Sequence, residues 1–349
     1  MQYHSALYPT CLALLLTAPV ATACVPTDCK DATCDIIDSA ALFSYFSSVS
    51  TFTAVTQTGD LLTSFDGRTW QSQNLAPANL LATNYDSDFF YASGNGDRAY
   101  RSPDALTWTE LASLNTGTSD NYFSIVSHNG ILVAGGGTGA GQVRRSADQG
   151  LSWTNLPVTT GSTELAGLES AGGVLRGVNG SGEFMRFNAD ASAYTVVSPP
   201  GVPGGLGALH YRNGVWTVAG SNGFIARTAD DGDTWSTLVV NAGHLLIGLT
   251  YGNGRFVASG HDGTDPVIWT STDEGLTWNQ SSPLPGRRGR DIAFGNDLFV
   301  MTGNGGLLAY SSTPEISNSW VDVTNGAANI SGISARNLKL LVGPLSILN

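Results

Sequence analysis

The octapeptide SADQGLSW (146–153) returns as TADDGDTW (228–235) and as STDEGLTW (271–278). Shortened copies stand at SFDGRTW (64–70) and SPDALTW (102–108), and decayed ones at NADASAY (188–194) and STPEISNSW (312–320). The closing aromatics, Trp70, Trp108, Trp153, Tyr194, Trp235, Trp278 and Trp320, are separated by 38, 45, 41, 41, 43 and 42 residues. Seven copies at so even a period mean one supersecondary unit repeated. Such a unit cannot bury its apolar face alone and must stack on its neighbours.

Each unit has the same internal order. An apolar run follows a turn pair: Asn129-Gly130 before ILVAGG, Asn213-Gly214 before VWTVAG, Asn253-Gly254 before RFVASG. Asn296-Asp297 and Gly172-Gly173 are variants. Asn-Gly between β-prone runs predicts a hairpin, because both central residues need positive φ. A Gly-rich loop, a second run such as QVRRS or FIART, the octapeptide and a last run complete the unit. That makes four short antiparallel strands, a to d, with the octapeptide in the c–d turn.

The expected fold is all-β: a propeller of seven four-stranded blades, with eight as the alternative. The segment 330–346 reads as a further a–b hairpin turning at Arg336-Asn337, and 44–60 also aligns with a and b. Eight a–b candidates therefore meet seven c–d pairs, and a blade shared by the two termini would close the ring without free edges.

The octapeptide's residue types suit a rim reversal. Asp66, Asp104, Asp148, Asp190, Asp230 and Asp273 can accept from turn N–H groups that strand pairing leaves open. Ser64, Ser102, Ser146, Thr228 and Ser271 add hydroxyl bonds, and Gly150, Gly232 and Gly275 supply left-handed backbone. The closing indole is expected to pack between blades.

These residues resemble the Asp-box, or bacterial neuraminidase repeat, from about residue 40 onward. The resemblance implies a sialidase-like β-propeller, a superfamily that includes photosystem II assembly factor-like and sortilin-type proteins, with the Asp boxes structural and away from the functional face. Catalytic sialidases of that superfamily carry an Arg-Ile-Pro motif and three carboxylate-gripping arginines. Here no Arg-Ile-Pro occurs. Arg101, Arg145 and Arg227 each directly precede the Ser or Thr of a motif, an address that makes them a repeat feature rather than a triad.

Composition narrows the function. Only 13% of residues are charged, the net charge is −12, and Lys30 and Lys339 are the only lysines, so a nucleic-acid backbone is not the expected partner. No nucleophile elbow, phosphate loop or CxxC is present, and no cofactor is expected. On the face opposite the c–d turns, two groups are candidates for binding. LPGRRGRD (284–291) offers Arg287, Arg288 and Arg290, which can hold a carboxylate in bidentate fashion. GHDGTDP (260–266) offers His261, Asp262 and Asp265, too few oxygen ligands alone for Ca²⁺. His128, His210 and His244 fall near strand a of different blades without metal-ligand spacing, so no metal site is expected. The reading is a non-enzymatic binder of a protein or glycan; the alternative is a glycan-active hydrolase or lyase assembled from single residues on different blades.

The first 23 residues read as an export signal. CLALLLTAPVATA (11–23) is too short to span a membrane and ends in the small-x-small pattern Ala21-Thr22-Ala23, although the preceding ten residues carry no Lys or Arg. Cys24 follows, and ATAC resembles a lipoprotein cleavage site. Cleavage removes Cys11 and leaves three cysteines; acylation of Cys24 then leaves Cys29 and Cys34 as a candidate disulfide. Residues 24–40 form a polar leader and 41–349 the propeller. The expectation is a periplasmic or outer-membrane lipoprotein, touching the membrane only through that anchor, with plain secretion as the alternative.

Overall fold

The computed structural model describes residues 50–337, apart from 76, 78, 87, 115–119, 139–140, 159–163, 282–283, 325 and 327. The signal, Cys24, Cys29 and Cys34 lie outside the described residues. Within 50–337 the strands form seven four-stranded antiparallel sheets. Six are sequence-contiguous: blade 1 (80–110), blade 2 (122–156), blade 3 (165–197), blade 4 (206–239), blade 5 (245–281) and blade 6 (289–322).

Blade 7 is shared by the two ends of the described chain. Its order is Ile330–Asn337, Ser50–Thr56, Asp60–Ser64, Gln71–Asn74, so the late segment supplies strand a and the early segment b, c and d. Ser50 pairs with Asn337 and Val55 with Gly332. The expected closure therefore holds in a simpler form. The stretch 50–56 is strand b alone, and no second hairpin turns at Arg336-Asn337 within the described residues; the LKLLVG stretch and residues 44–49 lie outside them.

The a–b hairpins follow from their turn residues. Asn129, Asn213 and Asn253 take φ of 52°, 48° and 45°, and the glycine after each is also left-handed. At the far end of strand b, Gly260 has a different reason: a Cβ there would stand 1.8 Å from the Leu245 carbonyl oxygen.

The rim turns are closed by their own eight residues. Ser146 Oγ accepts from Gly150 N–H at 2.8 Å and donates to Asp148 at 2.7 Å. Asp148 Oδ1 accepts from Ser152 N–H at 2.9 Å. Thr228 with Asp230, and Ser271 with Asp273, repeat this set on Gly232, Thr234, Gly275 and Thr277. In the shortened turns Ser64 donates to Asp66 and Ser102 to Asp104, whose carboxylates accept from Thr69 and Thr107 N–H at 2.7 Å. Blade 3 departs from the pattern. Asp190 accepts only from Ser192, and Asn188 Oδ1 takes the Ala193 N–H that corresponds to Ser152. Gln149, Asp231 and Glu274 share the left-handed region with the glycine that follows them, at φ of 58°, 61° and 59°.

The core is distributed between blades. Seven buried clusters fall one to each blade interface, and the closing aromatic of every blade packs in the cluster it shares with the preceding blade. Trp235 of blade 4 meets Phe184 of blade 3 edge-on at 5.3 Å, and Trp278 of blade 5 lies among Ala208, Ala219 and Ile225 of blade 4. A side chain that bridges two repeats makes each blade's stability depend on its neighbour.

Candidate functional site

The b–c and d–a loops share the face opposite the rim turns, and the structure brings the two candidate groups together there. Arg288 Nε donates to the Gly263 carbonyl at 2.5 Å, and Gly286 N–H donates to Asp265 Oδ1 at 2.5 Å. Asp262 closes its own loop by accepting from Thr264 and Asp265 N–H, which holds its carboxyl below the ordinary range. His261 Nδ1 accepts from Gly263 N–H, and burial, with Arg288 and Arg290 nearby, pushes its imidazole down.

The three arginines do not converge on one point. Arg287 pairs with Asp322, in the last strand of blade 6, and with Thr324 just beyond it, and Arg290 donates to Asn304 Oδ1 at 2.7 Å. Arg288 is the exposed one, and its bond to Gly263 together with the Gly286–Asp265 bond joins the two loops.

Arg101 and Arg145 sit on the other face, where they donate to the Gln149 and Asp190 carbonyls in the rim turn of the following blade. Arg227 lies against Gly275 in the same relation. The histidines are dispersed. His128 contacts Ser170 and Asn129, and His244 Nδ1 accepts from the Trp269 indole at 3.1 Å.

Strand a of every blade faces an axial channel of about 1100 Å³. Counted four residues on from the break in each a–b register (Leu80, Tyr122, Leu165, Leu206, Leu246, Gly289 and Ile330), the corresponding strand-a positions are Asn84, Val126, Glu169, His210, Thr250, Ala293 and Ser334. Glu169 of blade 3 and His210 of blade 4 are adjacent there, with Oε1 3.5 Å from Nδ1. Their side chains are 23% and 26% exposed, into the channel they line.

Burial pushes the Glu169 carboxyl up to about 8, against the lowering effect of the Tyr211 N–H it accepts at 3.2 Å. Burial, then Arg212, pushes His210 down to about 4, so the imidazole is neutral at pH ~7. Asp291, nearer the loop end of the channel, is raised by burial to about 6 and accepts the Ile333 and Ile292 N–H groups. Sequence reading passed over Glu169 and Asp291. The available signal was a carboxylate within a largely apolar strand a, LAGLESA and GRDIAFG.

No family model matches the chain, and no curated protein matches it. Solved structures do. The computationally designed Ika8 protein aligns over 82% of this chain and 91% of its own, at 13% identity and a TM-score of 0.56. A YCF48 structure, described as bound to D1 peptide, aligns over 73% and 89%, at 17% identity and 0.56. The YCF48 of Cyanidioschyzon merolae aligns over 72% and 87%, at 12% identity and 0.55. At these identities the likeness concerns the fold, and the chain is a seven-bladed β-propeller.

Proposed function

We propose that this propeller binds a protein partner on its loop-bearing face and is not an enzyme, with Arg288 receiving an acidic group of that partner. The observation that carries this reading is the clasp between the two loops: Arg288 Nε is itself one of its bonds, so the guanidinium is held in place while the residue stays exposed. A guanidinium held in place loses less freedom on binding and suits a carboxylate in bidentate geometry. The YCF48 neighbour, whose structure contains a bound peptide, shows that a propeller of this kind can hold one.

The test is a displayed peptide library selected on the wild-type protein and rescreened on Arg288→Glu, with a glycan array run in parallel. Selected peptides should be acidic and lose about tenfold or more in affinity on the variant. Peptides indifferent to R288E, or binding confined to glycans, would sink the reading.

The same proposal places the protein outside the cytoplasm, anchored through acylated Cys24; the support is the sequence Ala21-Thr22-Ala23-Cys24 behind a thirteen-residue apolar stretch. Cys24→Ser should move the mature protein from the membrane pellet to the soluble fraction. Retention in the pellet overturns the anchor.

A further inference from the structure

Glu169 is a carboxylate with its neighbouring cations turned away. Across the a–b pairing its partner is Arg176, but that guanidinium is bidentate to Asp231, with both bonds at 2.6 Å. Arg212, two residues beyond His210, lies 3.4 Å over the Tyr251 ring and pairs with Glu274. His210 stands beside the carboxylate as a neutral imidazole.

Acidic residues outnumber basic ones along the channel wall among the described residues. Asp86, Asp88, Glu164, Glu169 and Asp291 line the channel with Arg290 as the one guanidinium among its described lining residues, and Arg290 reaches Asn304. Walls of low dielectric with one predominant charge concentrate the opposite charge between them. A carboxylate taken from water without a cation is unfavourable, so Glu169 keeps its proton at pH ~7 and ionises when a cation enters; Arg176 across the pairing and Arg212 beyond His210 are both directed elsewhere.

We propose that the channel is a binding site for a primary ammonium group, held against the Glu169 carboxylate with the His210 ring beside it. A compact ammonium with three donors suits one half-buried carboxylate beside a neutral imidazole nitrogen. The volume of about 1100 Å³ admits the alkyl chain that carries the group, whether a small amine or a lysine side chain of a polypeptide. This site is separate from the Arg288 face, and neither reading depends on the other.

The experiment uses protein with ¹³C-labelled histidine, titrated with n-butylamine hydrochloride at constant ionic strength and at pH ~9, where Glu169 is ionised and the alkylammonium keeps its proton. Sodium butyrate is the charge control, and an N-acetylated lysine peptide with an amidated C-terminus is the second arm. The His210 ring signal, assigned with His210→Gln, should shift saturably with butylammonium and not with butyrate, while His261 at the loop face stays unmoved. Glu169→Gln, the nearest isostere, should weaken binding about tenfold or more.

Tighter binding of the peptide than of butylamine makes a polypeptide the source; weaker binding makes it a small amine. Absence of a saturable shift up to ~50 mM, where even a millimolar Kd saturates, overturns the site. So does an equal response to butyrate, or a Glu169→Gln protein that binds as the wild type does. Should Glu169→Gln not fold, Glu169→Asp keeps the charge one methylene back and must still weaken binding.

Discussion

Arg145 Nε donates to the backbone carbonyl of Asp190 at 2.8 Å, tying the third strand of blade 2 to the rim turn of blade 3. Arg101 repeats the latch from blade 1 to Gln149 of blade 2, and Arg186 of blade 3 reaches Asp233 of blade 4 at 2.8 Å. Arginines that on a carboxylate-binding face would form a ligand clamp here join successive repeats. Arg145→Ala should therefore lower stability by about 0.5–1.5 kcal/mol, the net worth of one hydrogen bond. Urea denaturation read by tryptophan fluorescence checks this; an unchanged midpoint would show that the latch contributes nothing.

The rim carboxylates make stability depend on acid pH. In the full turns Asp148, Asp230 and Asp273 are held at about 2, first by the hydroxyls of Ser152, Thr234 and Thr277 respectively. Their unfolded value is near 3.8, so the unfolded chain takes up protons first as pH falls. The contribution is complete above about pH 4 and is lost toward pH 2. A triple Asp→Asn variant should lose less Tm over that interval than the wild type. Equal slopes in thermal melts would count against the caps.

Trp278 is 9% exposed, packs across the blade 4–blade 5 interface and donates its indole N–H to the Gly275 carbonyl at 3.0 Å. Trp278→Ala should cost about 3–5 kcal/mol, and Trp278→Phe less, because most of the buried area returns. If the Phe variant proves as unstable as the Ala one in chemical denaturation, the indole N–H matters more than the area.

Glu169 gives a dependence of opposite sign. Its carboxyl is raised to about 8 in the fold and titrates near 4.5 when unfolded, so the native state holds the extra proton between those values. Stability should fall as pH rises through this window. His210, lowered to about 4, contributes only below about pH 6.5, which leaves the interval from 6.5 to 8 to Glu169. Glu169→Gln should be more stable than wild type at pH ~8 and show a flatter Tm profile above pH ~6.5. Parallel profiles for the two proteins would rule out a buried, uncompensated carboxylate.

The repeat period, the four-strand grammar and the rim turns were legible in the sequence because each is local. A hairpin needs Asn129 and Gly130 at positive φ, and a rim turn closes through bonds such as Asp148 to Ser152, four residues apart. A pattern that satisfies itself within eight residues leaves its mark on those eight. The blade 3 turn shows the limit, since Asn188 takes a bond that the decayed motif assigns to no particular side chain.

Two matters were settled only by the tertiary structure. Both ends of the chain carry β-prone, hairpin-like stretches, and which end supplies strand a of the last blade depends on pairing across more than 280 residues, Ser50 with Asn337. The channel is the other. Glu169 and His210 are 41 positions apart and become neighbours only when blades 3 and 4 stand side by side around the axis. Short-range chemistry dictates the unit, whereas the inner wall is assembled from one strand of each of seven units, and no single window of sequence contains it.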